Sequence, residues 1–222
     1  MKEENNELGF VELVDHMGDA VSIVNAARVS FGKSHEGELR EQDKKLINYL
    51  WDHKHTSPFR HVYFKFHIKA PIFVLRQWMK HQVGCSWNEI SGRYVKFKPS
   101  FYQPNLFRSV PPKSLKQGSG GPLNHSDQLK AQEIYIRSIN ESYEAYETLL
   151  ELGVCREQAR MLLPLSLFSE CYWTASLHAL IHFLNLRLAK DAQSEMRMYA
   201  EAVKEILEKQ DGMKFVLGVC LK

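Results

Sequence analysis

The part of this sequence richest in chemistry is Arg76-Gln77-Trp78-Met79-Lys80-His81-Gln82, followed by Ser86-Trp87-Asn88-Glu89-Ile90-Ser91-Gly92-Arg93-Tyr94. A helix end carrying Arg, Lys and His runs into a polar loop carrying Glu, Ser, Gly and Arg. Cations on a Gly-bearing loop suit a phosphate, and an arginine offers it a planar two-pronged donor. Glu89 and Ser91 supply acceptors and a donor for the edge of a heterocycle. A solvated helix end followed by an ordinary turn has the same residue types, so spacing alone leaves both readings open.

Other groups are weighed the same way. Arg187 follows Asn185-Leu186 in an otherwise apolar helix. A charge in that setting needs an answering anion or acid, which favours a ligand role. Arg160 by itself reads as a helix-surface arginine. His178 and His182 stand four apart on one helix face. A metal would need a third ligand that the sequence does not show, and packing against a cofactor explains the pair equally well. No metal site is expected. His53-Lys54-His55 reads equally as a solvated helix end. Cys85 is the tempting nucleophile, but a thiol at this place reads more often as structural or incidental, and Ser91 has no general base beside it in the sequence.

Arg93-Tyr94-Val95-Lys96-Phe97-Lys98 interleaves aromatics with cations, a pattern that can stack bases. The formal net charge of +3 over 222 residues is too small for a nucleic-acid footprint, so no nucleic-acid partner is expected. The four cysteines, Cys85, Cys155, Cys171 and Cys220, form no CxxC pair. Met1 to Asn6 is polar with no apolar stretch behind it, so no secretory signal is expected. The run Ala70 to Leu75 is far short of the roughly 20 residues that span a bilayer. A cytoplasmic protein with reduced thiols and no membrane partner is the expectation.

The elements that must position these residues follow from periodicity. Gly9 to Val14 predicts a strand, and Asp19 predicts the cap of a helix to about Arg28. Gly32 to Glu38 reads as a loop and Arg40 to His53 as a helix. The clearest strand has Val62, Phe64, Phe66 and Ile68 alternating with Tyr63, Lys65, His67 and Lys69. Pro71 suits the first turn of a helix running toward His81, and Val83-Gly84-Cys85 predicts a loop. Residues 98 to 125 are rich in Pro and Gly and predict a long mobile excursion. Ser126 is expected to cap a helix to about Leu152, with Ile136, Ile139, Tyr143, Tyr146 and Leu150 as its core stripe. Helices are expected at about Arg156 to Leu163, Thr174 to Leu188 and Asp191 to Glu208. The fold class is α+β: one domain over residues 1 to 222, with a mostly antiparallel sheet packed against helices.

With those elements in place, the central stretch resembles the signature of the flavin-dependent thymidylate synthases, an Arg-His-Arg, seven residues and then a serine, within a longer stretch ending Ser-x-Arg-Tyr. Arg76-Gln77-Trp78 and Ser86 through Tyr94 match its flanks. Further matches are Gly9 to Asp15, Ala26 to Phe31, Ser57-Pro58-Phe59, Ala70 to Val74, Ala159-Arg160, Leu163-Pro164-Leu165 and Phe183 to Arg187. Two departures stand out: the triplet reads Lys80-His81-Gln82, and the interval from Gln82 to Ser91 is one residue longer. The resemblance implies a homotetramer with shared sites. It implies dUMP contacts from Gln77, Lys80, Glu89, Ile90, Ser91, Gly92, Arg93, Arg160 (from a neighbouring subunit) and Arg187, which would polarise the uracil as the catalytic residue. It implies FAD contacts from Ser30, His55, Ser57, Lys80, His81, Gln82, Val83, Glu89, Ser176, His178 and His182. NADPH and 5,10-methylenetetrahydrofolate are the implied co-substrates. A flavin- and nucleotide-binding protein without turnover is the other reading that the altered triplet leaves open.

Overall fold

Strand β2, Tyr63–Pro71, shows how the sequence builds its sheet: Phe64, Phe66 and Ile68 are fully buried while Lys65 opposite them is exposed. Alternation of this kind puts one face of a strand in the core. The computed structural model describes residues 9–113 and 118–221. The reading of Met1 to Asn6, and the part of the excursion at 114–117, lie outside the described residues.

The sheet is antiparallel and has four strands in the order β1-β2-β4-β3. Its other members are β1 (Phe10–Met17), β3 (Cys85–Glu89) and β4 (Phe168–Ser176). The helices are α1 (Ala20–Arg28), α2 (Glu41–Asp52), α3 (Ile72–Trp78), α4 (His125–Glu151), α5 (Arg156–Ala159), α6 (Leu177–Arg187), α7 (Ser194–Glu208) and α8 (Met213–Cys220). The α+β class holds. By internal contacts the chain divides into two compact units, one comprising Lys69–Arg76 and Glu89–Cys171, the other Phe10–Ile68, Gln77–Asn88 and Tyr172–Lys222.

In the first unit, α4 organises the polar segments. Its stripe buries Ile139 and Tyr146, and its tyrosines reach outward to backbone. Tyr143 Oη donates to the Phe97 carbonyl (3.1 Å), and Tyr135 Oη to the Tyr102 carbonyl (2.6 Å). Asn124, not Ser126, caps this helix, accepting from the Asp127 amide at 3.0 Å. The described part of the excursion carries backbone bonds of its own, including Ser109 to Gly121 and Leu123 to Phe107. It also carries one from Tyr102 to Ser166. Its Pro and Gly residues hid that pairing from the sequence.

In the second unit, Asp19 caps α1 as expected, its carboxylate accepting from the Ser22 amide at 2.8 Å. Asp43 at the start of α2 is fully buried and pairs with Arg28 (2.6 Å) and His35 (2.9 Å). Burial pushes its carboxyl up, but the Arg40 amide, the Arg28 bond and the adjoining charges outweigh that and hold it below its ordinary value. Helix α6 is apolar on nearly all sides and buries Leu177, Leu180, Ile181, Phe183 and Leu184. Around it stand Trp78, Trp87 and Trp173, with ring centroids 5.2 to 6.2 Å apart.

Several expectations are corrected. Residues 85 to 89 form the edge strand β3 rather than loop, because a short polar edge strand shows no apolar alternation. Strand β4 was not foreseen. Its residues Thr174 to Ser176, read as the opening of a helix, end the strand, and α6 begins at Leu177. Pro71 closes β2, and α3 stops at Trp78, leaving Lys80 and His81 in a turn. The predicted helix at 156–163 is α5 followed by a tight turn over Arg160–Leu162. Helix α8 was not foreseen.

Candidate active site

The first unit contains a cavity of about 390 Å³ whose polar wall is Glu89, Ser91, Arg93 and Arg160. Strand β3 delivers Glu89 at its last residue, and the Ile90 amide then bonds the Glu170 carbonyl of β4 at 2.9 Å. A tight turn follows: the Tyr94 and Val95 amides both bond back to the Ser91 carbonyl. The turn brings Arg93 beside Ser91, whose hydroxyl accepts from the arginine Nε at 3.4 Å. Arg160 comes from the turn after α5, and the apolar floor is Ile72, Phe97, Leu163 and Leu167. Bonds from Ile72 and Phe73 amides to Leu167 and Leu165 carbonyls hold that floor.

Gly92 is buried where its neighbours leave no room for a side chain. A Cβ there would stand 3.0 Å from Phe97 Cδ2, closer still to Cε2, and 3.2 Å from Arg160 Cδ. The backbone therefore passes directly under the Phe97 ring with both arginines nearby. Glu89 is held by Ser169, which is 2% exposed and donates its hydroxyl to Oε1 at 2.6 Å. Chemically, two guanidinium forks with an oriented carboxylate and a hydroxyl can take a phosphate monoester and a polar ring together.

Of the expected nucleotide residues, the structure gathers Glu89, Ile90, Ser91, Gly92, Arg93 and Arg160 in this cavity. Arg160 lines this cavity together with Arg93, because α4 and α5 return the chain to the 89–97 segment. Gln77, Lys80 and Arg187 fall in the second unit. Sequence reasoning missed Ser169, which sits in the unforeseen β4 and carried no signal. It also missed Phe97, which read as part of an aromatic-basic stretch. Lys96 of that stretch pairs with Glu147 and Phe97 packs on Gly92, while Tyr94 stays exposed.

The second unit gathers most of the expected cofactor residues. His81 is 8% exposed, with its ring against Phe183 (5.2 Å) and His182 (5.7 Å). Its Nε2 accepts from Arg187 Nε at 3.0 Å, and Arg187 Nη2 also donates to the Gln77 carbonyl at 3.3 Å. Burial first, then the charges of Arg187 and His182, push His81 down to about 4, so it is neutral at ordinary pH. Burial likewise lowers Arg187. Lys80, Gln82 and Val83 are exposed, Val83 at 91%. His178 lies near Trp51, and burial, then Arg60 and His182, lower it. His55 adjoins Tyr49 and His53, Ser57 opens a tight turn, and Ser30 is exposed in another.

Ser176 is taken up structurally: its hydroxyl caps α6, accepting from the Ala179 amide at 3.3 Å. Gly84, at φ +74°, lies so close that a Cβ would approach Ser176 Oγ at 2.9 Å. Only glycine lets the 82–85 turn sit on the helix start in this left-handed conformation. An exposed lysine, several imidazoles and a glycine turn pressed on a helix N-terminus form a donor set that fits a phosphate-bearing aromatic cofactor. Among the described residues, no group of three or more His, Cys, Asp or Glu is placed to hold a metal. No helix among them is long and apolar enough to cross a membrane.

Comparison with known proteins places this geometry. The chain is 53% identical over 203 residues to a flavin-dependent thymidylate synthase of Thermus thermophilus, covering 91% of this chain and 72% of that protein. It is 48% identical over 204 residues to the Kosmotoga olearia protein of the same name, covering 91% and 86%. A crystal structure of PolB, a UMP/dUMP methylase from Streptomyces cacaoi bound with 5-Br dUMP, superposes with a TM-score of 0.83 at 32% identity, covering 96% and 95%. The pattern of the family described as thymidylate synthase complementing protein matches residues 12–211. The chain belongs to that family, the flavin-dependent thymidylate synthases.

Proposed function

We propose that this protein converts dUMP to dTMP by reductive methylation, with 5,10-methylenetetrahydrofolate as carbon donor, FAD as cofactor and NADPH as reductant. The observation that carries the reading is the cavity in which Glu89, Ser91, Arg93 and Arg160 converge. Arg93 and Arg160 grip the phosphate, whose charge near neutral pH is close to two. Glu89, fixed by Ser169, and Ser91, Ile90 and Gly92 bind the nucleoside. Gln77 and Lys80 assist, and Arg187 polarises the uracil so that its ionised form is favoured.

FAD is proposed to be held by Ser30, His55, Ser57, Lys80, His81, Gln82, Val83, Glu89, Ser176, His178 and His182. When bound, it supplies the hydride. The chain's own residues bind, orient and polarise, a task of placement as much as of charge.

No cysteine is suited to nucleophilic attack in this reading. Burial raises the Cys85 thiol and pushes Cys171 and Cys220 to about 12. Cys155 is exposed and lies outside the nucleotide cavity. We also read residues 1–222 as one domain, acting as a homotetramer with shared sites. Exposed Met161, Leu162 and Leu165 support such an association. Four free cysteines suit a reducing, cytoplasmic setting.

The test is reconstitution. The protein with added FAD should become yellow and form dTMP from dUMP, 5,10-methylenetetrahydrofolate and NADPH. Flavin binding without dTMP would leave only a nucleotide- and flavin-binding protein, and no flavin binding would remove the reading altogether.

A further inference from the structure

The triplet Lys80-His81-Gln82 does not point one way. Its outer members are exposed, while His81 turns inward and is nearly buried. The two residues that depart from the family signature are thus the two that face outward. The retained histidine is the one that touches Arg187.

Arg187 is the last residue of α6, where the carbonyl end of a helix favours a cation. That placement fixes its charge but not its fork, which sits on a long stem with about 2 kcal/mol of rotamer entropy. Two bonds remove this freedom. The Nε–H donates to His81 Nε2, and Nη2 donates to the Gln77 carbonyl. Two acceptors on two different atoms of a planar group define its plane. Gln77 is itself held by a side-chain bond to Gln193. The His81 ring is held between Phe183 and His182, and its carbonyl accepts from Trp87 Nε1 at 3.4 Å. Accepting at Nε2 requires the tautomer protonated at Nδ1. The titratable groups facing this ring are Arg187 and His182, both on α6.

We infer that His81 is a positioning residue for Arg187: with the Gln77 carbonyl it fixes the guanidinium plane and leaves the remaining N–H donors to polarise the uracil. This rests on the reading of Arg187 as the uracil-polarising group, and it gives His81 a role that does not depend on FAD.

The experiment uses the full-length protein and 5-fluoro-dUMP, whose N3 proton can be titrated by ultraviolet difference spectroscopy while bound. The variants are Arg187→Ala, His81→Leu and His81→Gln, the last keeping an acceptor near the Nε2 position. Wild type should hold the bound N3 pKa below that of free ligand. Arg187→Ala should return it to the free value, His81→Leu should produce at least half of that shift, and His81→Gln should stay near wild type. An unmoved N3 pKa in His81→Leu, with Arg187→Ala shifted, would overturn the inference. If Arg187→Ala itself shifts nothing, the polarising reading fails, and a crystal structure of His81→Leu then decides the positioning claim. The guanidinium should leave its place or spread over several conformers, and an unmoved Arg187 would overturn it. Thermal melts and an FAD fluorescence titration on each variant separate loss of fold or cofactor from loss of orientation.

Discussion

Gly92→Ala puts the geometry of the nucleotide cavity under direct strain. Gly92 does not occupy the left-handed region, so the cost is steric rather than conformational. The new methyl would stand 3.0 Å from Phe97 Cδ2 and closer to Cε2, so the ring must withdraw by about 1 Å to restore ordinary contact. Its backbone cannot follow easily. The Phe97 amide donates to Tyr146 Oη at 3.3 Å and the Phe97 carbonyl accepts from Tyr143 Oη at 3.1 Å. Overpacking of this kind costs about 1–3 kcal/mol. At about 2–4 °C per kcal/mol for a chain of this size, Tm should fall by about 2–12 °C. The methyl also presses on Arg160 Cδ at 3.2 Å. Losing one charge-assisted bond to phosphate costs about 1.5–3 kcal/mol, so calorimetric titration should show dUMP Kd raised about tenfold to 150-fold. Phe97→Leu in the same chain makes room, and the double variant should recover part of both losses. Gly92→Ala that binds dUMP within about twofold of wild type and melts at the same temperature would show that Phe97 and Arg160 do not close on this backbone as the contacts require.

Three further expectations follow from individual contacts. Ser169→Ala removes the donor that fixes Glu89. At about 1 kcal/mol for a net hydrogen bond, Tm should fall by about 2–4 °C and dUMP Kd should rise up to about fivefold, and a thermal melt with calorimetry checks both. Asp43→Asn keeps an acceptor for the Arg40 amide but leaves Arg28 without its counter-charge and weakens the contact to His35. Because Arg28 is partly exposed, the loss should fall near the low end for buried pairs, about 3 kcal/mol, or about 6–12 °C in Tm. His81 is lowered from 6.5 to about 4, so between those values the unfolded chain binds more protons than the folded one. Its contribution is therefore full above pH 6.5 and is lost as pH falls toward 4, by up to about 3 kcal/mol. Urea unfolding from pH 7 to 4 should show a shallower acid decline in His81→Gln than in wild type.

How far the sequence could be read depended on whether local pattern or distant partners decide each element. Strand β2 was legible because both its faces write themselves into alternate residues. The cap of α1 was legible because Asp19 stands at its expected place before an apolar run. Strand β4 was not, since it lies between β2 and β3 and its sequence, Phe168 to Ser176, mixes Ser, Glu and Thr with aromatics. Its neighbours, not its pattern, make it a strand. The same gap hid Ser169. In the site, the cluster from Glu89 to Arg93 was legible as a compact string, and Arg160 was named from resemblance and then found beside it. The bond between His81 and Arg187 joins residues 106 positions apart and could not be read from spacing. Nor could the closeness of Gly84 to Ser176, where a helix cap and a turn meet only in the folded chain.

The measurement that bears most directly on a flavin route to thymidylate is dTMP formation, followed by chromatography, with and without FAD, in wild type and in Cys85→Ser. A flavin route gives product only when FAD is present, at equal rates in the two proteins. Product without FAD, or its loss in Cys85→Ser, would contradict it.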